Sequence, residues 1–161
     1  MIQRIQTLFL ILFIGSIITT FFFPAWQKIE MDDNNEKVKI IVTGSISSTN
    51  FIENDNIIIY DHFYISGTLI ICCLLALYSI FSYKNRLTQI KIGTINSLFT
   101  SLVIFYFLYE VFYNERYIDI NDKISFLISF YLIFLAIFFN FLSNRFIRKD
   151  ELLVSESNRI R

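Results

Sequence analysis

Glu110 is the most chemically suggestive residue of this sequence. It ends the uncharged stretch 92–109 and sits among Tyr106, Phe107, Tyr109, Phe112 and Tyr113. An ionisable group in an apolar helix is a functional hypothesis by default. Two chemistries suit it: handling a proton or cation, or acting as an interfacial carboxylate that reaches water. The second asks less of the surrounding residues. His62 is the single histidine and follows Asp61. A lone imidazole cannot build a metal site, and no nucleophile stands beside the Asp61–His62 pair, so this position reads as a boundary rather than a catalytic dyad. Asp32, Asp33 and Glu36 form an acidic turn whose spacing matches no metal loop. Cys72 and Cys73 are adjacent in an apolar run and read as small packing residues. From these groups no catalytic residue, cofactor site or metal site is expected, and the chain reads as a non-enzyme.

The elements that must position these residues are long apolar runs. Hydrophobic residues make up 55% of the 161-residue chain and charged residues only 17%, against about 25% charged in a soluble domain. There is one proline, Pro24, and there are four glycines, which suits long helices. Since about 20 apolar helical residues cross a bilayer core, the pattern predicts four membrane helices over about 5–26, 63–83, 90–113 and 124–146. Arg4 before the first run resembles a signal-peptide start, but that run ends in Phe21-Phe22-Phe23-Pro24-Ala25-Trp26 with no small-residue cleavage site. It is expected to be retained.

The polar stretch 27–61 contains two β-type runs, Val38 to Thr43 and Asn56 to Tyr60, with Trp26 to Met31 as a third candidate. A small antiparallel sheet of two to four strands is expected there. The expected fold class is thus an all-α membrane protein: a four-transmembrane-helix bundle with a small antiparallel β-sheet in the first extracytoplasmic loop. The whole chain forms a single integral domain, with a cytoplasmic tail over 147–161. Small residues, such as Gly93, Ser97 and Ser101 or Ser125, Ser129, Ala136, Asn140 and Ser143, mark the helix faces expected to meet.

Charge sets the expected orientation. With the amino terminus inside, the inner segments hold nine Lys and Arg residues and the outer ones five, so both termini are placed in the cytoplasm. The segment 83–91 carries Lys84, Arg86 and Lys91 beside two helix ends and is the strongest determinant. The tail alternates Phe146, Ile147, Leu153, Val154 and Ile160 with charged residues, the pattern of an amphipathic helix. It suits anionic headgroups at the cytoplasmic face or a membrane-protein partner. The zero net charge gives no sign of nucleic acid.

Three segments carry a likeness: Met1-Ile2-Gln3-Arg4-Ile5-Gln6-Thr7, then Tyr83-Lys84-Asn85-Arg86 with Gln89, and Asn144-Arg145 through Arg161. Within the last, Lys149-Asp150-Glu151, Leu153-Val154, Ser157 and Arg159-Ile160-Arg161 match the pattern, while Ser155 and Asn158 replace a basic and an acidic residue. The chain resembles a Bacteroidota family of four-helix inner-membrane proteins of unknown function. That resemblance implies a bacterial inner membrane and supplies no activity. The strands above the helices also look like claudin-type architecture, though the outer cysteine pair of claudins is absent.

The expected role is a non-enzymatic scaffold, assembly factor or accessory subunit of an envelope complex. The alternative is a binder or carrier of a lipid or other lipophilic molecule within the bundle. The residues expected to make a cytoplasmic-face contact are Lys84, Asn85, Arg86, Gln89, Arg145, Arg148, Lys149, Arg159 and Arg161.

Overall fold

The computed structural model describes residues 2–31, 38–53, 56–82, 85–113 and 123–159. Four helices carry a five-stranded antiparallel sheet at one end. In chain order these are α1 (Ile2–Thr20), β1 (Trp26–Met31), β2 (Val38–Gly44), β3 (Ser48–Glu53), β4 (Asn56–Asp61), α2 (Phe63–Phe81), α3 (Arg86–Tyr113), β5 (Lys123–Phe126) and α4 (Ile128–Arg159). The sheet order is β4-β3-β2-β1-β5. The acidic turn at Asp32, Asp33 and Glu36 lies outside the described residues.

This architecture corrects the all-α four-transmembrane-helix bundle expected above. Among the described residues three helices, not four, are long and apolar enough to cross a membrane: α2, α3 and the portion Ile128–Val154 of α4. The apolar part of α1 is Ile5–Thr20, about 24 Å of helix against a core of about 30 Å. The apolar run continues past Thr20, but its backbone leaves the helix. Phe21 and Phe22 turn back onto the carbonyls of Ile18 and Thr19. Pro24 has no N–H to continue a helix, and the Ala25 N–H already bonds Gly44 O of β2 at 2.7 Å. Ser129 of α4 closes the end of α1: its hydroxyl lies 3.0 Å from Thr20 O and 2.6 Å from Phe23 O. It thereby satisfies carbonyls that a helix terminus leaves unpaired.

The sheet is larger than expected for a second reason. The strand Lys123–Phe126 takes in residues 124–126, assigned from hydropathy to the start of the fourth helix, and pairs instead with β1, placing Phe126 opposite Trp26 and Ile124 opposite Lys28. Ser125 therefore belongs to a strand and not to the small-residue face of α4. The strand β3 is polar enough to pass for turn material, yet it pairs on both sides. The amphipathic pattern of the tail lies in a helix continuous with the fourth apolar run, since α4 runs on to Arg159.

One cross-strand row of the sheet reads Phe126, Trp26, Gly44, Thr49, Tyr60, and the next Ile124, Lys28, Val42, Phe51, Ile58. Side chains two apart on a strand share a face. Trp26, Lys28, Val42 and Thr49 are all buried, so this face rests on the helices. Gly44 is needed in the first row because the Trp26 indole occupies the space a Cβ would take.

Beneath the sheet, α1 runs antiparallel to α4. Phe9 stacks on Phe146 with centroids 5.5 Å apart, and the Ser143 hydroxyl approaches Gln6 O. The amino-terminal end of α1, the α2–α3 connection and the carboxyl-terminal part of α4 thus share the end away from the sheet. Phe13, Ile17, Leu69, Phe107 and Ile133 fill the interior. The close approach of α3 and α4 occurs at Gly93, where the Asn144 carboxamide takes the place of a side chain. Asn140 Nδ2 donates to Gly93 O at 2.6 Å and to Ser97 Oγ at 2.8 Å. The inward row of α3 is Gly93, Asn96, Thr100, Val103, Phe107 and Glu110, one row over from the Gly93, Ser97, Ser101 stripe read from spacing alone.

Candidate functional site

Two polar constellations stand out, one at each end of the helices. The first joins the sheet to the bundle. His62 follows β4 and immediately precedes α2, and its backbone N–H bonds Ser47 O at 2.7 Å, which holds the ring over the helix ends. Glu110 lies near the end of α3 and is 1% exposed. Its Oε1 is 3.0 Å from His62 Nε2 and accepts a hydrogen bond from Thr49 Oγ1 of β3, also at 3.0 Å. On the other side of the ring, His62 Nδ1 is 3.3 Å from Tyr106 OH and 3.4 Å from Tyr64 OH, while Tyr64 donates to Tyr106 at 2.7 Å.

In one consistent proton arrangement Tyr64 donates to Tyr106, Tyr106 to His62 Nδ1, and His62 Nε2–H to Glu110 Oε1, and the 3.4 Å approach of Tyr64 to Nδ1 carries no proton. The aromatic rings reinforce it: Tyr64 and Tyr106 meet edge to face at 5.6 Å. Chemically this is a hydrogen-bonded chain from the half-exposed Tyr64 to a carboxylate in the interior. It contains acid–base groups, with His62 and Glu110 as its two side chains of metal-ligating type. Among the described residues no three His, Cys, Asp or Glu side chains are grouped to hold a metal ion. The reading of Glu110 as a carboxylate reaching water is therefore overturned. His62, read as a boundary residue, is the partner that makes burial of this carboxylate tolerable.

Lys28, read from the sequence as part of the polar stretch 27–61 and of the candidate strand Trp26 to Met31, is a second buried charge. It is 1% exposed, and its Nζ donates to Val111 O in the last turn of α3. A cation at a helix carboxyl end complements both the unpaired carbonyls and the helix dipole. The signal for its burial was the alternation Trp26, Lys28 in a strand, which puts the lysine on the indole's face.

The second constellation lies at the opposite end and contains most of the sequence-predicted contact residues. Arg86 opens α3 and pairs with two acids of α4: its Nε is 2.9 Å from Asp150 Oδ2, and its Nη1 is 3.6 Å from Glu151 Oε2. Gln89 is buried and donates from Nε2 to Ser79 O at 2.7 Å, capping the last turn of α2 from the first turns of α3. These contacts are internal, so Arg86 and Gln89 tie the start of α3 to α2 and α4. Asn85 is exposed, and its carbonyl accepts from the Gln89 N–H. Arg145, Arg148 and Lys149 are exposed on α4. Lys84 and Arg161 lie outside the described residues, and Arg159 is described only as part of the helix. Arg145 and Arg148 share a groove of about 320 Å³ with Thr94, Ser97, Phe141 and Asn144.

Three membrane-length helices under an antiparallel sheet, with buried charges at the junction and a basic opposite end, define a class of small membrane-type α+β proteins. Within it the chain belongs to the family described as Domain of unknown function (DUF4293), whose model matches residues 2–160. A search of curated proteins found no match.

Proposed function

We propose that this protein is a non-enzymatic accessory or scaffold subunit in the inner membrane of a Bacteroidota bacterium. Its sheet stands outside the cytoplasm, and the end bearing Arg86, Arg145 and Arg148 faces the cytoplasm. The Lys and Arg bias supports this orientation, as does the meeting of α1 and the end of α4 away from the sheet. The carboxyl terminus then lies inside, and the chain is multi-pass through α2, α3 and α4. The basic end contacts anionic headgroups.

The observation that carries the scaffold reading is the free edge of the sheet. The edge strand β4 presents Ile57, Ile58 and Ile59 at 65%, 47% and 59% exposure. An uncovered apolar edge strand is a template for another chain, and a protein partner's strand is the occupant that satisfies both its backbone and its side chains. The buried ionisable groups support the same reading, because they face one another and clasp the sheet to the helices.

A photo-crosslinker at Ile58, activated in native membranes, tests it. The expected result is a protein adduct that disappears when the crosslinker is moved to a buried position; recovery of lipid alone would overturn the reading. Reporter fusions at Asn50 and at the carboxyl terminus test the orientation separately, and an inside signal at Asn50 would reverse it.

A further inference from the structure

We infer that the groove between α3 and α4 is a binding site for a single anionic glycerophospholipid, with its phosphodiester held by Arg145 and Arg148. The inference rests on the membrane placement proposed above and deepens its headgroup contact into one bound lipid at a defined groove.

The geometry starts with helical spacing. Phe134, Phe138, Phe141, Arg145 and Arg148 follow one another at intervals of four, three, four and three residues, so they form one continuous stripe along α4. The three phenylalanines are about half exposed, and the stripe turns from aromatic to cationic at the groove. That sequence of surfaces matches a phospholipid: an acyl chain against the aromatic part and a phosphate at the guanidinium pair, whose fork geometry suits phosphate oxygens.

The polar groups of the groove fit the same molecule. Thr94 and Ser97 of α3 and Asn144 of α4 line it below the two arginines. The Thr94 hydroxyl is committed to Ile90 O, and Ser97 Oγ accepts from Asn140. The Ser97 hydroxyl proton remains to be donated. Glycerol ester oxygens, which only accept, are suitable partners at that depth.

Charge supplies the preference for an anion. The nearby acids Asp150 and Glu151 are taken by Arg86. Among the described residues, Arg145 and Arg148 form no ion pair. A soluble phosphate compound would share the guanidinium contacts but would leave the Phe134–Phe138–Phe141 stripe uncovered, so a lipid accounts for more of the surface.

Native mass spectrometry of the detergent-purified full-length chain tests this. The probes are phosphatidylglycerol and phosphatidylcholine with identical acyl chains. The wild-type chain is expected to retain one phosphatidylglycerol in preference to phosphatidylcholine. The Arg145→Ala/Arg148→Ala variant is expected to lose affinity for it by about thirtyfold, from about fivefold per cation near an anionic surface. Lys149→Ala, which removes an exposed charge outside the groove, is expected to change retention by less than about twofold. Both arginines are exposed, and a far-ultraviolet circular dichroism spectrum unchanged from wild type accompanies the supporting result.

Equal retention of the two lipids, or full retention by the double variant, would overturn the inference. So would displacement of the lipid by millimolar glycerol phosphate, which would assign the site to a soluble phosphate compound. An arginine-dependent protein adduct without lipid would also overturn it. Failure of the underlying membrane reading looks different: the chain would then leave the membrane fraction in carbonate without detergent.

Discussion

Replacing Glu110 by alanine is expected to loosen the sheet from the helices before it affects anything else. The carboxylate receives two contacts at 3.0 Å, from Thr49 Oγ1 and His62 Nε2. Thr49 is fully buried, so its hydroxyl would lose its acceptor away from water, a cost of about 1–3 kcal/mol. The His62 Nε2–H loses a carboxylate acceptor as well, a hydrogen bond worth about 1.5–3 kcal/mol. His62 retains side-chain exposure of 12%, which lets its ring recover some hydration and places the total near the lower bound, about 3 kcal/mol. For a chain of this size that corresponds to a melting temperature lower by about 6–12 °C. Glu110→Gln keeps an acceptor for Thr49 and is expected to lose less than half as much.

The informative assay is hydrogen exchange on the purified chain, read by peptide. Exchange in β3 and β4, which the clasp holds through Thr49 and His62, is expected to accelerate well before exchange in the interior of α1 and α4. A His62→Ala/Glu110→Ala cycle should give a coupling energy of at least about 1 kcal/mol, since the two side chains touch. Unchanged exchange in residues 48–61 of Glu110→Ala, or additivity within error, would refute the view that this network is the joint between the two layers.

Other perturbations have equally direct readouts. Gly93→Ala puts a methyl group where the Asn144 carboxamide sits; α3 and α4 must separate or the amide must move, with an expected cost of about 1–3 kcal/mol by thermal unfolding in detergent. Ser129→Ala strips the hydroxyl shared by Thr20 O and Phe23 O and should lower stability by about 1–2 kcal/mol, with faster exchange confined to the end of α1 and the turn after it. Asn96 is fully buried, with both ends of its carboxamide lacking a protein partner. Asn96→Leu should therefore stabilise the chain by about 1 kcal/mol or more, and a fall in melting temperature would show that the amide has a partner such as water. Arg86→Ala removes ion pairs at a partly exposed site and is expected to cost under about 1 kcal/mol. Its main effect should be greater mobility of α4 beyond Asp150, measured by spin-label line shape.

Hydropathy and turn chemistry made the broad outline legible in advance. The apolar cores of α2, α3 and α4 follow from uninterrupted runs, because a long apolar stretch has few ways other than a helix to satisfy its backbone in lipid. Three of the five strands also follow from β-branched runs and their flanking turn residues. The positions of Ser129, Asn140 and Ser143 on the buried face of α4 follow from spacing. The candidate contact residues were legible as a basic cluster, but their division of labour was not. Arg86 and Gln89 turn out to be internal ties, while Arg145 and Arg148 line a groove.

What only the tertiary structure decided concerns groups whose roles depend on distant partners. The first apolar run stops being a helix at Thr20 because a serine more than a hundred positions away takes its terminal carbonyls and a strand takes its next N–H. Lys123–Phe126 is a strand because β1 offers it an edge, although its hydropathy equally suits a helix. Lys28 and Glu110 are ordinary boundary charges by composition, and burial is tolerable for each only because folding brings it a partner: Val111 O for one, His62 and Thr49 for the other. Local sequence sets which conformations a segment prefers. The cost of burying a polar group is decided by what lies within about 3 Å of it, and those neighbours come from elsewhere in the chain.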